Sequence, residues 1–152
     1  MKKGKYSLLD IKHEINNIIF KLKTATEILS EENITVEEKK HVVSILKTNI
    51  NEINLLFENL FLMEKVPSLK KEKIYLKEFF DKNVSKRYIY GYPSLLSASI
   101  VNLREIGIGY SIKEKNGKLI LKANFIPENK LHRYIFYITE YFLNLNGIKL
   151  EV

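Results

Sequence analysis

Apolar residues at Leu8, Ile11, Ile15, Ile18, Leu22, Ala25 and Leu29 recur in alternating steps of three and four, the spacing of a heptad seam on one face of an α-helix. The pattern predicts a first helix over about residues 5–29. A polar connection follows, Ser30-Glu31-Glu32-Asn33-Ile34, and Thr35-Val36-Glu37-Glu38 then has the spacing of a capping box, in which Thr35 and Glu38 satisfy each other's amide groups. From there Val43, Leu46, Ile50, Ile53, Phe57 and Leu60 repeat the alternation until Pro67 stops it. Each helix is expected to be roughly 35 to 45 Å long at 1.5 Å per residue, and a short turn between two such helices gives an antiparallel hairpin. Leu9, Ile19, Val42, Ile45, Leu56 and Met63 add more apolar surface than one helix-helix contact covers. A second copy is the expected cover, which makes the hairpin half of a homodimeric four-helix bundle.

Beyond Pro67 the pattern changes. Lys73-Ile74-Tyr75-Leu76 reads as a short strand, residues 76–84 as a helix, and Tyr88-Ile89-Tyr90 as a second strand before the Gly91-Tyr92-Pro93 turn. Ser94 is placed to cap a helix running to about Ile106. Residues 110–115 and 118–125 read as strands joined at Asn116-Gly117, a strong hairpin signal. A helix over about 129–145, ended by Gly147, and an alternating strand over 148–152 complete the chain. The expected class is α+β, with a helical hairpin over residues 1–67 and a small α/β sandwich over 73–152.

The 152 residues and an apolar fraction of 45% are enough for a packed core. With no cysteine there is neither a disulfide framework nor a thiolate zinc site, and a cytoplasmic setting is the default. Charged residues interrupt every apolar stretch, so no run of about 20 apolar residues is available to span a membrane. The formal charge of +7 raises the question of nucleic acid. Its distribution argues against that partner: lysines alternate with glutamates, arginine occurs only at Arg87, Arg104 and Arg133, and the one dense run, Lys70-Lys71-Glu72-Lys73, reads as a solvated junction. An acidic protein partner suits a basic surface equally well.

Candidate chemistry lies in the first helix. With Leu8 at heptad position a, His13 falls at f, directly away from the seam, where neither packing nor a buried hydrogen bond accounts for it. An exposed histidine on a long helix is how a phosphorylatable imidazole is displayed, although an ordinary solvated histidine has the same periodicity. Phe20 also occupies an f position, where an aromatic ring in solvent suits contact with a partner, or partial cover by the rest of the chain. His41 and His132 have no companion at metal-ligand spacing and read as surface structure.

The order of these elements resembles the dimerisation and catalytic core of bacterial sensor histidine kinases. The family's H-box, His-Glu-x-x-Asn/Thr, is matched by His13-Glu14-Ile15-Asn16-Asn17, with Ile18 in place of the usual proline. Phe57-Glu58-Asn59-Leu60-Phe61-Leu62-Met63-Glu64 resembles the close of the family's hairpin, residues 93–111 lie over the N-box region, and residues 134–152 over the last helix and strand. The resemblance therefore covers nearly the whole chain. It implies that His13 is a phosphoacceptor, that Glu14 orients it, and that Asn17 could position a water for receiver dephosphorylation. By the same resemblance Asn16, Phe20 and Thr24 form part of a receiver-docking surface.

Departures from the family fix the expected activity. Aligned on Val101-Asn102-Leu103, the positions of the magnesium-holding asparagine and of a nearby cation hold Ile106 and Gly109. An aliphatic side chain offers no oxygen to Mg²⁺. The last strand of the hairpin passes to the final helix through Ile126-Pro127-Glu128-Asn129-Lys130, without an Asp-x-Gly-x-Gly box or a glycine-rich lid, and neither Gly107-Ile108-Gly109 nor Asn116-Gly117 fits a P-loop. ATP binding is thus expected to be lost, with no cofactor or metal of the chain's own. The combination is similar to the ATP-independent histidine phosphotransferases of sporulation and cell-cycle phosphorelays. It implies transfer between aspartates of receiver domains through His13, the receiver supplying Mg²⁺. The alternatives are a non-catalytic pseudokinase that regulates a receiver or a kinase, and a basic structural or nucleic-acid-binding dimer.

Overall fold

A computed structural model describes residues 8–80 and 84–152, with side chains from Asp10 onward. Leu8 and Leu9 as side chains, the expected start of the first helix near residue 5, and residues 81–83 lie outside the described part. Among the described residues the chain is α+β, with four α-helices and two small sheets. It divides into two compact units at residues 58 and 59, within the second helix.

The first unit contains α1 (Leu8–Leu29) and most of α2 (Val36–Lys65). On α1 the heptad seam faces inward: Ile18 and Ala25 are buried, and Ile11, Ile15, Leu22 and Leu29 are half-buried. The capping box at the start of α2 is formed as the sequence predicts. The Thr35 N–H donates to Glu38 Oε2 at 2.7 Å, and the Glu38 N–H donates to Thr35 Oγ1 at 3.2 Å. These bonds hold the Glu38 carboxyl below the ordinary glutamate pKa of 4.5. Because the folded value is the depressed one, the contribution is complete above that ordinary value and is lost as pH falls through the lower, folded value. Thr35→Ala is expected to cost about 1 kcal/mol. For Glu38→Gln, which keeps an acceptor for the Thr35 N–H and loses the charge, urea unfolding at neutral pH and at acid pH should show the difference from wild type narrowing as the pH falls.

On α2 the buried stripe differs from the predicted seam. Val42, Asn49 and Leu56, spaced by seven, are buried, and Leu46, Ile53 and Leu60 are half-buried. The expected seam residues Val43, Ile50 and Phe57 are exposed, as are Ile19 and Ile45. The two stripes stand one residue apart, about 100° around the helix. Both have heptad spacing, so spacing alone does not choose between them.

The second unit is built on two sheets. β1 (Glu72–Tyr75) pairs antiparallel with β2 (Tyr88–Gly91). In the other sheet β3 (Tyr110–Lys115) pairs antiparallel with β4 (Lys118–Ala123), and β4 pairs parallel with β5 (Ile148–Glu151). Asn116 and Gly117, with φ of 53° and 74°, form the turn between β3 and β4 in the left-handed region that a two-residue hairpin requires. β4 ends at Ala123, two residues before the predicted end, where the Asn124 N–H turns to the Gly109 carbonyl at 2.9 Å.

The parallel β4–β5 pair requires a crossover, which α4 (Lys130–Leu145) supplies. Asn129 caps α4 by accepting the His132 N–H at 3.1 Å, and Gly147, with φ of 70°, follows its end. Leu131, Ile135, Ile138, Phe142 and Leu143 are buried, as are Leu119 and Leu121 of β4 and Ile148 of β5. A fully buried Leu or Phe contributes about 1.5 to 3 kcal/mol. α3 (Pro93–Glu105) packs on α4 with Leu95, Leu96 and Leu103 buried. Its cap is Tyr92, not Ser94 as expected: Pro93 occupies the first helical position, where its fixed φ and missing N–H cost nothing.

Two further local differences stand out. Of the helix expected over 76–84, the described residues 76–80 form a single 3₁₀ turn, Leu76–Glu78, and 81–83 lie outside the described residues. The Leu76 N–H extends the β1–β2 ladder to the Arg87 carbonyl at 3.2 Å, so the turn leaves directly from a strand end. Gly91 packs against Asn146, whose Oδ1 accepts the Tyr92 N–H at 2.7 Å and whose amide donates to the Phe142 carbonyl at 2.9 Å. A Cβ at position 91 would overlap that Oδ1. Gly91→Ala should therefore cost about 1 to 3 kcal/mol, as overpacked sites do, and lower the midpoint of thermal unfolding.

Candidate functional site

The residues singled out by sequence all lie on α1, and helix geometry decides how they group. At 3.6 residues per turn His13, Asn16, Asn17, Phe20 and Thr24 fall within an arc of roughly 100°, centred nearly opposite Ile18. Burial follows the same division. His13, Asn16 and Asn17 are exposed, Thr24 is half-buried, and Phe20 is 70% exposed, while Ile18 is 5% exposed. Glu14, next in the chain after His13, is half-buried and lies on the edge between the two faces. His13 and Phe20 stand two turns apart on one line, about 10 Å along the axis.

The face that results has an imidazole open to solvent, two carboxamides one turn away, and a phenyl ring offered to water. Neutral imidazole is a nucleophile near neutral pH, and exposure leaves room for an incoming protein surface. Nothing about the face requires a concave pocket. The concavity of about 540 Å³ in this unit lies elsewhere, near the α1–α2 connection, lined by Ile28, Ile34, His41 and Val42 among others. It includes none of the α1 residues just named.

In the second unit the positions compared with a nucleotide site are occupied by structure. Ile106 is buried at the end of α3, and Gly109 packs against Asn124, whose Nδ2 a Cβ at 109 would overlap. Six residues, 124–129, join β4 to α4, and Pro127 among them is buried. Asn102 is 1% exposed and spends its carboxamide on neighbours. Its Nδ2 donates to Asn59 Oδ1 at 2.7 Å and to Thr139 Oγ1 at 3.0 Å, its Oδ1 accepts from Asn59 Nδ2 at 2.8 Å, and the Thr139 hydroxyl donates to the Ile135 carbonyl at 2.8 Å. Sequence reasoning missed this network, because the three partners are far apart in the chain and each is an ordinary polar residue on its own.

Other charged groups with displaced acidities are surface pairs. The Ser85 hydroxyl, with the Lys86 N–H, holds the Glu114 carboxyl below its ordinary range, and Lys149 does the same to Glu151. Glu114 is exposed and Glu151 half-buried, each tied to a neighbour on its own surface, which suits anchoring of a loop or strand end better than acid-base chemistry. Among the described residues no three His, Asp or Glu side chains gather as metal ligands, and no described helix is long and apolar enough to cross a membrane. Compared with protein-family models, with characterised proteins and with solved structures, the chain finds no match.

Proposed function

We propose that the protein is a histidine phosphotransferase that relays phosphoryl groups between receiver aspartates through His13, in the cytoplasm and without ATP. The observation that carries this reading is the exposed α1 face, where His13 shares one line with Phe20 and is flanked by Asn16 and Asn17, opposite the buried seam. In the first half-reaction an imidazole nitrogen of His13 attacks the phosphorus of an aspartyl phosphate. A P–N bond forms, the P–O bond to the carboxylate breaks, and the carboxylate leaves without needing a proton. The product is a cationic phosphoimidazole that keeps the proton on its other nitrogen. Glu14 orients that N–H and offsets its charge. The second half-reaction reverses the first on another receiver, each receiver bringing its own Mg²⁺. Asn17, one turn on, is placed to orient a water and gives the route to net dephosphorylation.

One feature supports the dimeric form of this reading, and a second bears on helix register within a chain. Val43, Ile50 and Phe57 form an exposed apolar stripe of period seven, the kind of surface a second hairpin covers in a four-helix bundle. Asn49 lies in the buried stripe with its Nδ2 unpartnered, and a lone asparagine at such a position is a known means of fixing helix register. The six-residue β4–α4 connection, with Pro127 buried, supports a chain that receives phosphoryl groups from a protein rather than from a nucleotide.

The test is the source of the label. Wild-type protein is incubated separately with radiolabelled ATP and with pre-phosphorylated receiver domains from the same genome. Acid-labile, base-stable label arriving from a receiver but not from ATP is the expected result. Label from ATP alone would replace this reading with that of an active kinase, and label from neither source would favour a non-catalytic regulator.

A further inference from the structure

Strand alternation puts Lys73, Tyr75, Tyr88 and Tyr90 on one face of the β1–β2 sheet, because Ile74 and Ile89 between them are buried at 2% and 8% exposure. Register then brings them together. Lys73 is opposite Tyr90 and Tyr75 opposite Tyr88. Tyr90 is 64% exposed, Tyr75 44% and Tyr88 41%. The rings of Tyr88 and Tyr90 meet edge to face, with centroids 5.7 Å apart. The Lys73 ammonium stands 4.1 Å from the centre of the Tyr88 ring and 5.4 Å from that of Tyr75, and the Lys71 ammonium 5.8 Å from that of Tyr92.

Charge is gathered on the same unit. Residues 1–58 carry nine lysines against nine acidic residues, a balance of zero, whereas residues 59–152 carry thirteen lysines and three arginines against nine acidic residues, the whole +7. Residues 70–92 alone hold seven cations against three acids. Alternation with glutamate along the chain hides this concentration. In the folded strands Lys73 is brought among tyrosine rings, with Lys71 close to one more.

We infer that this face is a docking surface for single-stranded nucleic acid, with bases stacked on the exposed tyrosine rings and phosphates neutralised by the surrounding lysines. Two features favour that occupant. Planar rings beside ammonium groups meet both needs of an unpaired strand, a stacking surface and a counter-charge. A base pair in a duplex would have no free ring face to offer them. Strands of four residues are about 13 Å long, room for two or three stacked bases. The surface is in the unit that lacks His13, and the inference holds whether or not His13 transfers phosphate.

Fluorescence anisotropy of the full chain with labelled oligothymidylate and oligouridylate of roughly 12 nucleotides tests it. Binding of one or both is expected, with log affinity falling against log salt at a slope of about −2 to −3, as three or four phosphate contacts on a single strand give. The comparison of the two oligomers separates DNA from RNA as the source. Tyr90→Ala should weaken binding about tenfold at unchanged slope, as the loss of one stacked base does, and Lys73→Gln should reduce the slope by about one. Both positions are exposed, so circular dichroism should report unchanged folding. No binding at low salt, equal affinity for a duplex, equally effective competition by polyglutamate, or indifference to Tyr90→Ala would each overturn the inference, the polyglutamate result pointing to an acidic protein partner instead.

Discussion

Replacing His13 with alanine abolishes acid-labile labelling from every phosphorylated receiver while leaving the fold and its stability unchanged; this is the expected result of highest consequence. Both halves of the expectation come from one geometric fact. His13 is on the exposed face of α1, opposite Ile18 and Ala25, so truncating it opens no cavity. Substitutions at such positions move stability by about 0.5 kcal/mol or less. The chemistry, by contrast, has no substitute nucleophile nearby, since the neighbours on the face are the carboxamides of Asn16 and Asn17 and the phenyl ring of Phe20. Unfolding curves and label transfer measured on the same preparation separate the two effects. A variant that folds normally and still takes up acid-labile label would exclude His13 as the acceptor and leave His41 and His132 as the histidines to examine.

The second large effect concerns stability. Asn102→Ala removes the donor of two hydrogen bonds and the acceptor of a third, and the Asn59 carboxamide, 2% exposed, loses both of its bonds to Asn102. An unsatisfied buried amide costs about 1 to 3 kcal/mol. With the space vacated by the side chain, the expected loss is about 2 to 4 kcal/mol. Asn59→Leu alone should be costly for the same reason, since it leaves Asn102 half-satisfied. The double variant Asn59→Leu with Asn102→Leu replaces both members of the pair with apolar groups, and it should recover much of the loss, because a removed pair leaves no orphan between its members. Urea unfolding of wild type, Asn59→Leu, Asn102→Leu and the double variant forms a double-mutant cycle, and a coupling energy of about 1 kcal/mol or more is expected for groups in direct contact. Additive losses would show that the two carboxamides are satisfied independently.

The network also bears on the activity. Asn102 is in the segment aligned with the family region that holds the nucleotide's magnesium, yet its carboxamide faces Asn59 and Thr139 in the interior. A side chain committed in this way stabilises helix packing and is withheld from solvent. In the proposed reading such a domain is kept for its fold, and α1 would carry the chemistry.

Much of the architecture was legible in the chain because its signals are local. The heptad spacing of α1, the Thr35–Glu38 capping box, the Asn116-Gly117 turn and Gly147 each depend on residues within about four positions of one another, the range over which backbone hydrogen bonds and helix faces are set. The exposure of His13 and Phe20 follows from the same periodicity. Where two local readings had equal merit, only tertiary packing could choose. Val42, Asn49 and Leu56 are buried while Val43, Ile50 and Phe57 are exposed, although both stripes have period seven, because burial depends on what packs against α2 and not on spacing within it. The 3₁₀ turn at Leu76–Glu78 replaced a longer helix because the preceding strand continues its ladder to Arg87. The Asn59–Asn102–Thr139 network joins residues 43 and 37 positions apart, and the tyrosine face of β1 and β2 depends on a register between separate strands. The sequence by itself thus determined most of the elements and the outward face of α1, whose causes lie within single turns of chain. Which apolar stripe, which amides and which rings meet was decided by long-range packing, where a side chain's partner is set by the fold and not by its neighbours in sequence.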